Sequence, residues 1–395
     1  MESPIYLDNQ ATTRVDPRVV EAMLPYFLQH FGNAGSASHA YGWQARDAVD
    51  AARTVVAESL GASPREIVFT SGATESNNLA IKGVCERPRR RGNHVISVVS
   101  EHRAVLDPLA RLGRRGFTME LLPVQPQTHA LAGQLDLQRL VDALRADTLL
   151  VSVMLVNNEI GVLQPLEEIS ALCRERGVLV HCDATQAVGK LPVDVRRLGV
   201  DLLSFSAHKF HGPKGVGGLY VRRCSPPLRL EPLCDGGGQE LGLRSGTLNV
   251  PGIVGLATAL QLALAEGEAE RARLRRLRDD LFAGLQREIP GVELNGPALD
   301  PSLRWVGNLN CRFACVDGEA LMMNLPDVAV SSGSACTSTN PEPSHVLQAL
   351  GLDPDQARSS LRFGLGRFNT ADEIARAVES LRDTVLRLRR LSSLA

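Results

Sequence analysis

Lys209 stands in a polar run, SAHKFHGPKG (206–215), that directly follows the apolar stretch DLLSFS (201–206). That stretch has the length and composition of a buried strand, and open α/β sheets bind ligands at the ends of such strands. A lysine leaving a buried strand can lose the water around its amine, which makes it competent to form a Schiff base. Lys209 is therefore a candidate for covalent chemistry, although an ordinary surface lysine would fit the same local pattern.

A second predicted strand, GVLVHCD (177–183), ends in a carboxylate. Asp183 is followed by Ala184, Thr185 and Gln186. A carboxylate here could pair with the pyridinium nitrogen of pyridoxal phosphate and keep it protonated, which sustains the electron-withdrawing character of the ring. The alternative for Asp183 is a helix N-cap.

A third predicted strand, EIVFT (66–70), runs into the polar turn SGATESNN (71–78) and then into a helical pattern. The amides and hydroxyls of such a turn suit a phosphate group at a helix N-terminus. The turn alone is weak support, because any strand-to-helix turn favours Gly, Ser and Thr. Three strand ends that together offer a phosphate site, a nitrogen partner and a lysine predict a pyridoxal-phosphate enzyme.

Strand and helix patterns alternate around these motifs. An apolar helical face is formed by Ala45, Val49, Ala52, Val56 and Leu60. The runs of strand length are EIVFT (66–70), HVISVVS (94–100), TLLVSVMLV (148–156), GVLVHCD (177–183), DLLSFS (201–206) and VGGLYVR (216–222). We therefore predict an α/β fold with a mostly parallel, mixed sheet covered by helices.

The pattern changes near residue 253, where a long helical stretch begins. A terminal helix follows a possible capping box at Thr370 and Glu373. We predict a large cofactor-binding domain over residues 15–255. Residues 1–14 and 256–395 would form a smaller α+β domain that carries a cysteine-containing loop at about 328–343.

The charge balance is nearly even, with 43 Lys and Arg against 44 Asp and Glu in 395 residues. We therefore expect neither nucleic acid nor a membrane surface as a partner. The N-terminus lacks the pattern of a signal peptide, and no run reaches the roughly 18 apolar residues that span a bilayer. A cytoplasmic location is expected.

Cys336 is the best nucleophile candidate among the eight cysteines. Its segment, SSGSACTSTNPEPSHV (331–346), has the composition of a loop rather than of packed core. The remaining cysteines fall into three groups. Cys85, Cys173 and Cys182 are expected to be buried, Cys311 and Cys315 lack the second ligand pair of a metal site, and Cys224 and Cys234 have no assigned role.

With its motifs assembled, the chain resembles the cysteine desulfurases of the NifS and IscS group, most closely the IscS-like branch. The motifs are YLDNQATT (6–13), FGNAGSASHAYG (31–42), IVFTSGATESNNLAIKG (67–83), VNNEIGV (156–162), DATQAVGK (183–190), SFSAHKFHGPKG (204–215), GGGQELGLRSGT (236–247), SSGSACTS (331–338) and SSLRFGLGRF (359–368). The resemblance implies a fold-type I pyridoxal-phosphate enzyme that acts as a homodimer.

The resemblance also implies roles for residues at matching positions. Lys209 would bind the cofactor's aldehyde carbon and His102 would stack on its ring and carry protons. The other cofactor-binding positions are Ala73, Thr74, Asn158, Asp183, Gln186, Ser206, His208 and, from the neighbouring subunit, Thr247. Arg362 would bind the substrate carboxylate as a bidentate pair, with Asn33 and Asn158 also near the substrate. The alternative for Arg362 is an ion pair within the small domain.

The implied reaction removes sulfur from L-cysteine, releases L-alanine and leaves a persulfide on Cys336 for an acceptor protein. Iron-sulfur cluster assembly, tRNA thiolation and DNA phosphorothioation all remain open as destinations. The chain departs from the family at Ala207 and Gln10, and its C-terminus ends sooner than in relatives that serve a cluster scaffold. The alternatives are a selenocysteine lyase or aminotransferase of the same fold, and a sulfur-relay protein that needs a partner for activity.

Overall fold

The computed structural model describes residues 4–87, 92–225, 227–332 and 343–392. Within these ranges the strands are β1 (Ile5–Tyr6), β2 (Ile67–Thr70), β3 (His94–Val98), β4 (Thr118–Leu122), β5 (Thr148–Met154), β6 (Leu179–Asp183), β7 (Leu202–Ser206), β8 (Gly217–Val221), β9 (Val292–Leu294), β10 (Asn308–Phe313), β11 (Val328–Ala329) and β12 (Ser360–Gly364).

The α-helices of the same ranges are α1 (Pro17–Met23), α2 (Pro25–Leu28), α3 (Ala40–Ser59), α4 (Ala73–Glu86), α5 (Arg103–Gly113), α6 (Leu137–Ala143), α7 (Leu166–Glu175), α8 (Val195–Leu198), α9 (Val250–Glu288), α10 (Gly318–Met323), α11 (His345–Ala349), α12 (Pro354–Arg358) and α13 (Ala371–Ser392). Short 3₁₀ turns occupy Pro64–Glu66, Ala207–Lys209 and Glu240–Gly242.

The large sheet has seven strands in the order β2-β8-β7-β6-β5-β3-β4. Strand β8 runs antiparallel to both of its neighbours, and the other neighbouring pairs are parallel. Every residue of β2, β3, β5, β7 and β8 is buried, which explains why they read as continuous apolar runs. The prediction of a mostly parallel, mixed sheet in an α/β fold is confirmed.

Helices cover this sheet with the faces that the sequence predicts. Helix α3 buries Ala45, Val49, Ala52 and Val56, and it packs against α9. Part of α9 is apolar and long enough to cross a membrane by length and composition alone, but 50% of that window is buried within the protein. The buried apolar residues of α9, such as Ile253, Leu256 and Leu260, belong to the hydrophobic core.

Two smaller sheets lie in the remaining chain. Strands β9, β10 and β12 form an antiparallel sheet in the order β12-β10-β9, and β1 pairs with β11 in parallel. The predicted capping box of α13 is confirmed, since Thr370 N donates to Glu373 Oε2 and Glu373 N donates to Thr370 Oγ1. The predicted boundary between residues 255 and 256 falls inside the continuous helix α9, and the division into domains stays a prediction.

Candidate active site

A cavity of about 890 Å³ lies at the edge of the large sheet where β6 and β7 end. Parallel strands deliver their last residues to the same edge, so motifs distant in the chain meet there. Ten predicted site residues line this cavity: Ala73, Thr74, His102, Asn158, Asp183, Gln186, Ser206, His208, Lys209 and Arg362.

The amine of Lys209 is held by the N-terminal segment of the chain. Lys209 closes a single 3₁₀ turn that follows β7 directly. Its Nζ donates to the backbone oxygens of Gln10 and Ala11, both at 2.7 Å. Backbone oxygens of the motif YLDNQATT thus hold the amine of Lys209 at the cavity. The polar composition of the motif does not by itself indicate this role.

Asp183 is the last residue of β6, and it is only 5% exposed. Its Oδ2 accepts a 2.7 Å hydrogen bond from Asn77 Nδ2, and its Oδ1 accepts one of 3.0 Å from the Thr185 amide. Two donors hold the carboxylate in one orientation. Asn77 was not predicted as a site residue, because its contact with Asp183 depends on how α4 packs on the sheet.

The N-terminus of α4 forms one end of the cavity. Gly72 precedes this helix at φ 152° and provides no side-chain cap for its first amides. A Cβ on Gly217 of β8 would lie 2.7 Å from Gly72 Cα, so glycine at 217 permits the turn to approach the sheet closely. Thr74, Ser206 and His208 complete this end. Such a terminus attracts anions.

His208 carries a neutral imidazole at this end of the cavity. Burial, reinforced by the positive charges of Lys209, Lys214 and Lys190, lowers the pKa of His208 to about 4. Its Nδ1 lies 3.0 Å from Thr12 Oγ1. A neutral imidazole can donate one hydrogen bond to an anion without carrying charge of its own.

His102 caps α5 at the wall of the cavity. Its Nδ1 accepts a 3.0 Å hydrogen bond from Ala104 N, which places the proton of the neutral ring on Nε2. The preceding residue, Glu101, is fully buried, and burial raises the pKa of its carboxyl well above the usual range. Glu101 Oε1 accepts from the Met154 amide at 2.7 Å. Glu101 was not among the predicted site residues.

Arg362 lies on β12 and is 1% exposed. Its Nη2 is 2.7 Å from Asp8 Oδ1, and its Nη1 donates to the backbone oxygen of Asn158 at 3.2 Å. The guanidinium thus lines the cavity and also forms an ion pair. Both of the roles considered for this arginine are compatible with its position.

Three predicted site residues are not brought to the cavity by the described chain. Asn33 is exposed, and its Oδ1 accepts from Gly35 N at 2.8 Å. Thr247 is exposed and does not line the cavity of its own chain. Cys336 lies outside the described residues. The roles assigned to these three residues stay predictions.

The other cysteines divide as follows. Cys85, Cys173 and Cys182 are buried, as predicted. Cys311 is buried whereas Cys315 is exposed, so the two thiols face different surroundings. Cys224 is partly buried and Cys234 is exposed. In the ranges that the structure covers, no three His, Cys, Asp or Glu side chains are grouped as ligands of a metal ion.

The family model for class-V aminotransferases matches residues 5–377. The chain belongs to the class-V aminotransferase family. Because enzymes of this family depend on pyridoxal phosphate, the predicted cofactor and the predicted enzymatic nature of the chain are confirmed.

Individual relatives agree with the family. The chain is 54% identical over 394 residues to a protein named cysteine desulfurase IscS from Anaeromyxobacter dehalogenans, covering 100% of this chain and 95% of that protein. A solved NifS-like protein matches with a TM-score of 0.89 at 38% identity, covering 97% of this chain and 99% of the other. A structure of SspA in complex with cysteine matches with a TM-score of 0.79 at 35% identity, covering 93% and 100%. The predicted resemblance to the NifS and IscS group is confirmed.

The cavity offers donor groups that suit this family's cofactor. A lysine amine, a buried carboxylate and an uncapped helix N-terminus match the aldehyde, the pyridine nitrogen and the phosphate of pyridoxal phosphate. Thr185 Oγ1 also lines the cavity and is buried without a hydrogen-bond partner among the described residues. A buried hydroxyl in that state indicates a place for a polar ligand.

Proposed function

We propose that this chain is a pyridoxal-phosphate-dependent cysteine desulfurase that removes sulfur from L-cysteine and releases L-alanine. The observation that carries the proposal is the convergence of Lys209, Asp183 and Arg362 on one cavity. Likeness over the whole chain to proteins named cysteine desulfurase supports the reaction. L-Cysteine as the substrate is further supported by the structural match to SspA, which was solved with cysteine.

Each side chain of the cavity has a task in this proposal. Pyridoxal phosphate supplies an electron sink for the substrate carbon. Lys209 would bind its aldehyde end and would serve as the base for the proton of the substrate Cα, while Asp183 would pair with the pyridine nitrogen and keep it protonated. Arg362 binds the substrate carboxylate, and His102 carries protons through Nε2.

Other residues of the cavity would hold the phosphate, the phenolic oxygen and the ring of the cofactor. The amides at the start of α4 would hold the phosphate together with Thr74, Ser206 and His208, and Ala73 would contact it. Gln186 would donate to the phenolic oxygen, and Asn158 would orient the ring. Each of these side chains binds or orients, and none of them needs to change its charge during the reaction.

Cys336 is assigned the sulfur transfer. Its thiolate would attack the substrate Sγ, forming a sulfur-sulfur bond while the carbon-sulfur bond breaks. The bonding electron pair goes to the substrate Cβ, which takes a proton to become a methyl group. Return of a proton to Cα then gives L-alanine. The persulfide on Cys336 then passes its outer sulfur to an acceptor protein, which we leave unspecified among iron-sulfur assembly, tRNA thiolation and DNA phosphorothioation.

Described residues on both sides of Cys336 support this assignment. On one side, Ser331 and Arg362 exchange backbone hydrogen bonds of 3.3 and 2.7 Å. On the other side, Ser344 Oγ donates to Glu159 Oε2 at 2.5 Å, and His345 Nε2 donates to the Glu101 backbone oxygen at 2.9 Å. Ser331 is thus paired with the cavity-lining Arg362, and Ser344 and His345 themselves line the cavity.

A homodimer is part of the proposal. Apolar side chains of α2 and its surroundings are exposed, with Phe27 56%, Leu28 75% and Phe31 64% exposed. Phe31 lies beside the exposed Tyr41, with ring centroids 5.3 Å apart. An exposed apolar cluster of this kind favours burial against another subunit. A second subunit would also give Thr247 access to a cavity that it does not reach in its own chain.

The test is turnover of L-cysteine by the cofactor-reconstituted protein. We expect stoichiometric L-alanine and, with a reductant, sulfide. Lys209→Ala should abolish both products and the visible absorption of the bound cofactor. Cys336→Ser should abolish desulfuration, whereas Cys234→Ser, which changes another thiol, should leave it intact.

The same assay separates the alternatives. A Cys336→Ser protein that still turns over selenocysteine at the wild-type rate would favour a selenocysteine lyase. Wild-type protein that releases alanine only with a partner present would favour a sulfur-relay role. A cytoplasmic location also belongs to the proposal, and fractionation of the native cell tests it.

A further inference from the structure

Lys190 closes the motif DATQAVGK and lies behind Gln186, at the back of the cavity wall. The chain contains only four lysines against 39 arginines, and three of the four, Lys190, Lys209 and Lys214, stand at or beside the cavity. Lys190 shares a second, smaller cavity of about 50 Å³ with Lys209. An amine differs from a guanidinium in directing its charge at a single acceptor and in changing protonation readily.

A chain of hydrogen bonds joins the two lysines. Lys190 Nζ donates to Gln186 Oε1 at 2.5 Å, and Gln186 Nε2 donates to the Gln10 backbone oxygen at 2.9 Å. The same oxygen accepts from Lys209 Nζ at 2.7 Å. Because the amine occupies Oε1, the amide orientation is fixed. An amide NH₂ has two hydrogens, so the one that does not reach Gln10 is available to a ligand in the cavity.

The surroundings of Lys190 are predominantly positive. Lys209 and Arg362 face it from the active-site side, and the aromatic ring of Trp305 has its centroid 6.0 Å from Nζ. Burial, together with these two cations, lowers the pKa of Lys190 well below its usual range. An anionic group brought into the cavity would therefore favour the charged amine.

On the side of Lys190 that faces away from the active site, the described residues offer no unpaired carboxylate. The small cavity is lined by the charged or titratable side chains Lys209, His211, Glu270, Arg271 and Arg367. Glu270 is its one carboxylate among the described residues, and it is ion-paired with Arg273 at 2.8 Å. Arg367 is paired with Asp16 at 2.5 Å. Once an anionic ligand in the cavity favours the charged amine, the charge of Lys190 is thus directed at the active site.

We propose that Lys190 is a positioning residue for the cofactor: through Gln186 Oε1 it fixes the amide with Nε2 towards the phenolic oxygen, and it places positive charge beside Lys209. The proposal rests on the proposed function, because it takes Lys209 and Gln186 as cofactor residues. Without Lys190, Oε1 would lose its donor, and only the hydrogen bond from Nε2 to the Gln10 backbone oxygen would hold the amide in this orientation.

The experiment is a pH titration of the visible absorption of the reconstituted holoenzyme. Lys190→Met removes the donor and the charge while keeping the length of the side chain. The titration follows protonation of the nitrogen that joins Lys209 to the cofactor. We expect its midpoint to rise by about one pH unit or more in Lys190→Met protein. Lys190→Arg should recover most of this shift. Lys82→Met, which removes a lysine of α4 that does not line the cavity, should titrate as the wild type does.

A comparison in Gln186→Ala protein tests whether Lys190 acts through the amide of Gln186. In Gln186→Ala protein, the further substitution Lys190→Met should move the midpoint by less than half as much as it does in the wild type. Equal shifts in both backgrounds would overturn a role that acts through the amide. A wild-type midpoint in Lys190→Met protein would overturn the proposal entirely, even with the cofactor band present.

Loss of the cofactor from Lys190→Met protein would also be informative. The band should then return in Lys190→Arg and stay absent in Lys190→Gln, and the opposite pattern would exclude a requirement for positive charge. A reconstituted wild type without any visible band would refute the proposed function, and this inference with it. A normal wild-type band with an unmoved Lys190→Met midpoint would refute this inference alone.

Discussion

The carboxylate of Asp8 and the guanidinium of Arg362 form an ion pair, with 2.7 Å between Oδ1 and Nη2. The pair joins the N-terminal motif to β12, where the backbone of Asp8 also bridges to Gly364. Asp8 therefore neutralises a buried cation that lines the cavity. A substrate carboxylate would meet an arginine that is already oriented, and it would compete with Asp8 for the same charge.

Replacing Arg362 should weaken substrate binding more than it slows the chemical steps. A charge-assisted bidentate pair contributes about 1.5 to 3 kcal/mol, so Arg362→Ala should raise KM for L-cysteine roughly 10- to 100-fold. Arg362→Lys should recover little, because an ammonium group lacks the planar fork. The measurement is steady-state alanine release, with Arg389→Lys on α13 as the control. An unchanged KM would leave Arg362 with its ion-pair role alone.

Removing the charge of Asp8 should destabilise the fold. Asp8→Asn leaves Arg362 buried without its counter-ion, and the expected loss is about 3 to 5 kcal/mol in the free energy of unfolding. Asp355→Asn removes the carboxylate of an exposed pair with Arg358, where Asp355 is 92% exposed, and should cost less than about 1 kcal/mol. Urea unfolding of the cofactor-free proteins measures both, and equal losses would contradict the argument.

Asn77 should matter for cofactor retention, whereas its neighbour Asn78 should not. Asn77→Leu removes the donor to Asp183 Oδ2 and leaves the carboxylate held by the Thr185 amide alone. We expect cofactor affinity to fall by about 10-fold, in line with the loss of one hydrogen bond to a charged group. Asn78→Leu affects only an exposed contact with the Thr74 backbone oxygen. Cofactor dissociation, followed by absorption, compares the two, and matching rates would exclude a specific role for Asn77.

The sequence predicted the strand-end residues well and their supporting contacts poorly. Asp183 and Lys209 follow apolar runs that can be read locally, since burial on both faces leaves a continuous apolar signature. Asp8 and Asn77 act through partners that lie 354 and 106 residues away, and such polar contacts leave no periodic signal. They become visible only once the strands are aligned.

Two further features of the fold have simple physical causes. Strand β4 was not among the predicted strands because its residues, TMELL, are partly exposed at the edge of the sheet and lack a long apolar run. The boundary near residue 253 was predicted from a change of pattern, yet one helix spans it. A helix that is apolar at its start and charged later changes its surroundings without changing its secondary structure.

Acidification should destabilise the protein partly through His211. Burial lowers the pKa of His211 to about 4, below its ordinary value of 6.5. Between these values the unfolded chain binds more protons than the folded chain, so the free energy of unfolding falls as the pH drops from about 6.5 towards 4. Above pH 6.5 both states are neutral at this site, and the contribution disappears.

His211→Asn should reduce this acid sensitivity. Asparagine tolerates the local φ of 66° and does not titrate in this range. We expect the loss of unfolding free energy between pH 7 and pH 5 to be about 2 kcal/mol smaller than in the wild type. His129→Asn, at an exposed histidine, should leave the loss unchanged. Urea unfolding of the cofactor-free protein at the two pH values gives the comparison, and parallel losses in His211→Asn and wild type would contradict the assignment.

The exposed apolar cluster around α2 should hold two subunits together. Burying a leucine or phenylalanine side chain contributes about 1.5 to 3 kcal/mol, so charges at Leu28 and Phe31 should weaken the dimer by a factor on the order of 100 or more. The double variant Leu28→Glu, Phe31→Glu should therefore sediment as a monomer at micromolar concentration. Met323→Glu introduces the same charge at a side chain that is 76% exposed on α10, and it should stay dimeric. If Thr247 completes the phosphate site of the opposite subunit, the monomer should also bind pyridoxal phosphate more weakly. A monomer with wild-type cofactor affinity would remove Thr247 from the site, and a dimeric double variant would place the interface elsewhere.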